Sequence, residues 1–68
     1  MIYLRQKREE LGISQQELSS RSGVSQQSIS LIEIGARKNP GIETLYRLAK
    51  AMGCEVKDIY KLEEEEKA

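Results

Sequence analysis

A chain of 68 residues, with eleven Lys and Arg against eleven Asp and Glu, has room for one small domain and no net charge. Folding such a chain buries only about 60% of the surface its unfolded form exposes, so an all-helical bundle is the economical solution. A single cysteine and no histidine exclude an internal disulfide, leave a thiolate zinc site without its second ligand, and remove the commonest general base.

Aromatic residues are limited to three Tyr, and no stretch alternates with a period of two, so a sheet has no support. No apolar run approaches the roughly 18 residues of a membrane span, and Met1-Ile-Tyr-Leu-Arg-Gln-Lys lacks the layout of a secretory signal, so a soluble, cytosolic protein is expected. Charge is unevenly distributed. Residues up to Leu62 hold ten Lys and Arg and seven Asp and Glu, a surplus of three cations, while Glu63 to Glu66 form an acidic run. The chain divides accordingly into a body, residues 1–62, and an acidic C-terminal tail, residues 63–68.

The first helix is expected over Ile2 to Leu11, with Leu4, Arg8 and Leu11 on one face. A guanidinium on the core stripe demands an acidic partner, because burying an unpaired charge is costly. Glu33 is the candidate partner, and pairing of Glu33 with Arg37 one turn on is the alternative.

Gly12 ends this helix, Ile13 anchors the connection, and Ser14 begins the second helix at Gln15. Ser14-Gln-Gln-Glu17 has the spacing of a capping box, in which the Ser hydroxyl and the Glu carboxylate each take a free amide. At the other end Gly23 suits a left-handed helix terminus, and Ser25 caps a third helix. Leu18, Val24, Ile29 and Ile32 are spaced as the inward residues of two helices crossing at this corner, with small Ser19 at the close approach. The grammar is helix-turn-helix.

A rotation of about 100° per residue turns Ile29 and Ile32 inward and places Glu33 on their flank. Gln27, Ser30, Leu31 and Ile34 face outward, and Gln26 projects from the first turn. Paired glutamines at this place have the chemistry that adenine requires, since one amide can accept from N6 and donate to N7. On an arbitrary helix the same pair would be polar surface.

After Gly35, the run Ala36-Arg37-Lys38-Asn39-Pro40-Gly41 reads as a loop with two adjacent cations. Ile42, Leu45, Leu48, Ala49 and Met52 give the core stripe of a fourth helix, with Gly41 at its start, Glu43 in its first turn and Gly53 at its close. Tyr46 and Arg47 face away. Cys54 reads as a small buried apolar residue rather than a reactive thiol. Val56, Ile59, Tyr60 and Leu62 make a short fifth helix whose apolar residues exceed the needs of one small core. Part of that surplus is assigned to a dimer interface, with packing onto the monomer's own core as the alternative.

The run GISQQELSSRSGVSQQSISLIEIGARKNP resembles the Cro/repressor (XRE-like) helix-turn-helix family, and its QQSI segment is most similar to lambdoid phage repressors whose recognition helix opens with two glutamines. The likeness extends from Leu4 to about Tyr60. It implies a five-helix, lambda-repressor-like DNA-binding domain that regulates transcription as a homodimer on a pseudo-palindromic site; from the residues themselves no cofactor and no metal are expected, and no small-molecule ligand is evident. The resemblance also implies the Arg8–Glu33 pair and a bacterial or phage-encoded source. Bases would be read by Gln26 and Gln27, with Ser30 and Leu31 in support; Gln15, Ser25, Ser28, Arg37, Lys38 and Asn39 would hold the DNA backbone.

Leu31 and Ile34 depart from the family, which often carries polar or basic residues there. Leu31 can pack on a thymine methyl; Ile34 is left to rest on sugar-phosphate, or to turn into the core if the helix ends early. The two keep open a second function, a protein-interaction module of antitoxin or anti-repressor type that uses the same fold. Acid, base and metal-ligand constellations are all lacking, so no enzyme is expected.

Overall fold

The computed structural model describes residues 2–61. Five helices follow one another: α1 (Leu4–Leu11), α2 (Gln15–Ser22), α3 (Gln26–Glu33), α4 (Ile42–Ala51) and α5 (Val56–Ile59). The all-α expectation is met. The β-type pairing among the described residues is an antiparallel bridge between Ile2 and Tyr60, beside which the Tyr3 amide donates to the Ile59 carbonyl at 2.6 Å.

Local chemistry sets most of the helix ends. Ser14 accepts from the Glu17 amide at 3.0 Å and Ser25 from the Ser28 amide at 3.1 Å, so each relieves a donor that has no partner within its helix. The reciprocal half of the Ser14–Glu17 box does not form, because the Glu17 carboxylate pairs instead with Arg21, one turn on along the exposed side of α2. At the corner between α2 and α3, Gly23 adopts φ 79°, a region that a Cβ penalises, and its amide donates to the Ser19 carbonyl at 3.0 Å.

Every helix contributes to one core. Leu4, Leu18, Ile29, Leu48 and Ile59 are completely buried, and Val24, Ile32, Leu45, Ala49 and Met52 nearly so. Helix α2 packs on α3 and α4, while α1 bridges α3 and α5 and α4 lies against α5. With one to three buried residues per helix, no pair of helices would be stable alone.

The structure corrects the expected stripes at their ends. Helix α1 begins at Leu4 rather than Ile2, which lies outside the helix in the bridge to Tyr60. Leu11 is 46% exposed: the chain turns at left-handed Gly12, and past that turn it is Ile13 that packs on the core. Ile42 is 71% exposed because it opens α4, and the stripe reaches the core only at Leu45. Helix α5 is shorter than expected, with Tyr60 already extended, and Leu62 and the acidic tail fall outside the described residues.

Candidate nucleic-acid interface

The outward side of α3 is built by what its inward side must do. Ile29 and Ile32 anchor it, at 0% and 2% exposure, and this fixes the helix's rotation about its own axis. Gln26 and Gln27 then stand exposed at its first turn, Ser28, Ser30 and Leu31 are half-buried, and Ile34 is 68% exposed. The helix does end early, at Glu33, yet Ile34 stays in water and does not turn inward. Its amide donates to the Ser30 carbonyl at 3.0 Å, which holds the residue in the last turn on the outer side.

Behind this surface, Glu33 gathers three donors. Arg8 Nε reaches one carboxylate oxygen at 2.7 Å and a second Arg8 nitrogen reaches the other at 3.1 Å, while Gln15 Nε2 donates to that same oxygen at 2.9 Å. Arg8 completes the lock by donating to the Ile13 carbonyl at 2.9 Å. Burial pushes the Glu33 carboxyl up, but the hydrogen bonds from Arg8 and Gln15 together with the Arg8 charge outweigh it and hold the group below the ordinary glutamate range. The hydrogen bond with Glu33 correspondingly raises Arg8.

The Arg8–Glu33 pair is thus present as expected, and Arg37 is not its competitor. The sequence did not disclose the third arm, Gln15 to Glu33. Its one signal is arithmetic: a bidentate guanidinium leaves lone pairs on a carboxylate, and a side chain this buried must satisfy them.

Beyond α3 the chain stays close to it. The Ala36 and Arg37 amides both donate to the Leu31 carbonyl, at 3.0 and 3.1 Å, and the Arg37 side chain runs back to the Ser28 hydroxyl at 3.2 Å. Lys38 and Asn39 are exposed beside it. Gln26, Gln27, Ser28, Ser30, Leu31, Arg37, Lys38 and Asn39 therefore belong to α3 and the loop that follows it, with Gln15 joined from behind through Glu33.

Other chemistry is sparse. Cys54 is half-buried against the core, and burial pushes its thiol up, away from the thiolate form that reacts. Among the described residues no cluster of acidic and sulfur side chains could hold a metal ion, and no helix is long and apolar enough to cross a membrane.

A short second helix, a left-handed glycine corner and a third helix that opens on exposed glutamines define the helix-turn-helix class. The chain belongs to the Helix-turn-helix family of Cro/repressor type, whose model matches residues 4–59, and proteins of that family are DNA-binding regulators of transcription. It is 52% identical over 46 residues, 68% of this chain and 58% of the relative, to an uncharacterized HTH-type transcriptional regulator, y4dJ, of Sinorhizobium fredii. A relative of the same description from Methanothermobacter thermautotrophicus is 41% identical over 63 residues, 91% of this chain and 90% of its own. Another, from Archaeoglobus fulgidus, is 32% identical over 59 residues, 87% of this chain and 82% of its own. The chain thus spans just over half of the first of these relatives and most of the other two.

Proposed function

We propose that this chain is a sequence-specific repressor of transcription that lays α3 in the major groove of a pseudo-palindromic operator. The observation that carries the reading is the exposure of Gln26 and Gln27 at the opening turn of a helix whose opposite side is locked into the core by Ile29 and Ile32. Side chains held on a fixed helix can present donor and acceptor to one base edge with little ordering cost. Ser30 and Leu31 lie behind the glutamines on the same helix and support the base contacts. Gln15, Ser25, Ser28, Arg37, Lys38 and Asn39 take the phosphates.

A two-fold operator calls for a two-fold protein, and the region around α5 is proposed as the homodimer contact. No catalysis and no cofactor are part of this reading, and its setting is the cytoplasm of a bacterium, for a protein encoded by the bacterium or by a phage. The exposed Ile34 favours one competing reading, a module that uses this end of α3 to bind another protein.

Selection from randomised duplex DNA, read together with the molecular mass in solution, tests the proposal. A recovered site with two related halves about 34 Å apart, bound by a dimer, is the expected result. Recovery of unrelated sequences at equal affinity, or a monomer that binds a protein through Leu31 and Ile34 and no duplex, would overturn it.

A further inference from the structure

The arginines of this chain divide unequally. Arg5 pairs with Glu9, Arg8 with Glu33, Arg21 with Glu17 and Arg47 with Glu43. Among the described residues, Arg37 is the arginine without a carboxylate partner, and its guanidinium donates instead to the neutral hydroxyl of Ser28. It is nevertheless tied at two points, since its backbone amide is bound to the Leu31 carbonyl. A loop cation is thereby laid back along α3 across nine positions of sequence.

A donor count at Ser28 gives the arrangement a direction. The Ser28 oxygen accepts from Arg37 at 3.2 Å and lies 3.0 Å from Ser25 Oγ, a contact that uses the hydrogen of one of the two hydroxyls and not of both. The Ser25 oxygen meanwhile accepts from the Ser28 amide at 3.1 Å. One hydroxyl hydrogen of the serine pair is therefore left as a donor beside the remaining N–H groups of Arg37, and no acceptor among the described residues takes either. Adjacent donors, one of them charged, fit an anion with several oxygens.

Resting on the reading of α3 as the helix in the groove, we infer that Ser28 and Arg37 form one preassembled seat for a single backbone phosphate, with Ser28 as the positioning residue for the guanidinium. Ser28 precedes inward Ile29 by one residue and so lies about 100° round the helix from it, on the flank. Gln27 and Leu31 hold the centre of the outer side. A guanidinium on the flank meets the wall of the groove, where the phosphates are, rather than its floor, where the bases are. Holding Arg37 there in the free protein removes ordering that a loose side chain would undergo on binding.

Affinity of the full chain for a selected duplex and a random duplex, over a range of salt concentration, tests the inference. Arg37→Ala is expected to weaken binding to both duplexes about tenfold and to lower the salt slope by about one, each for every bound protomer. Ser28→Ala should do the same to a smaller extent, Ser28→Thr should restore binding, and Ser28→Ala should cost less when added to Arg37→Ala than it does alone. Since Ser25 still caps α3 in Ser28→Ala, an unchanged melting temperature is expected and identifies any loss as one of binding. An unaffected Ser28→Ala, losses that multiply in the double variant, or a loss confined to one base pair would each overturn the seat while leaving the regulator intact. A wild-type chain that binds no duplex would overturn both.

Discussion

Arg8 and Glu33 meet across twenty-five positions of sequence, at 2.7 Å, with both side chains almost out of contact with water. Neither can be removed alone without stranding the other. Arg8→Ala is expected to cost about 3–5 kcal/mol, an amount comparable with the whole stability of a small domain, and to leave the chain largely unfolded at 37 °C. Arg8→Met combined with Glu33→Leu should recover most of that loss. Thermal unfolding followed by circular dichroism decides, and a stable Arg8→Ala protein would show that the pair is dispensable.

Acid should release the same lock. Glu33 holds its proton less tightly when folded than when unfolded, so the unfolded chain binds the extra proton and stability rises with pH across that interval. The contribution is complete above the ordinary glutamate range and is lost as the pH falls through the lower, folded value. Because the chain has no histidine, no imidazole titration overlies this window. Melting temperatures of the wild type should fall on acidification more steeply than those of Glu33→Gln; parallel profiles would remove Glu33 from the account.

At the groove, Gln27→Ala should reduce discrimination among operators by about 1–3 kcal/mol at one base pair and leave affinity for random DNA nearly unchanged. Equal losses on both kinds of duplex would make Gln27 a general contact instead.

The opposite pattern is expected one loop away. Lys38→Ala should weaken binding to every sequence and flatten the salt slope by up to about one unit. A change of preferred sequence in this variant would speak against a phosphate contact.

At the corner, Gly23→Ala forces a Cβ into a left-handed conformation and to within 3.3 Å of the end of the Arg47 side chain. The side chain can move and the backbone cannot, so the expected cost is the conformational one, about 1–2 kcal/mol. For a domain of this size that is a fall in melting temperature of about 4–8 °C per kcal/mol, measurable by calorimetry. An unchanged value would mean that the corner relaxes.

What the sequence discloses and what it hides follow a physical line. Ser14, Gly23 and Ser25 were legible because a cap satisfies amides within three residues of itself. Arg8 announced a partner because a charge on an apolar stripe is intolerable without one. Periodicity, by contrast, says which side of a helix is apolar and not how far the core extends along it; Leu11 and Ile42 continue their stripes into solvent for that reason. The Ile2–Tyr60 bridge and the Gln15–Glu33 hydrogen bond depend on the packed arrangement of distant segments, to which no local pattern corresponds. Among the candidate site residues, the outward placement of Gln26 and Gln27 was readable from Ile29 and Ile32, whereas the return of Arg37 to Ser28 was not.

Ile34 stands two-thirds in water at the end of α3. Any surface that comes to lie over it, whether deoxyribose or another polypeptide, must strip hydration from an aliphatic side chain. Association through this end of the molecule therefore carries a negative heat-capacity change beyond that of the charged contacts, and titration calorimetry at several temperatures would register it as an enthalpy growing more exothermic on warming.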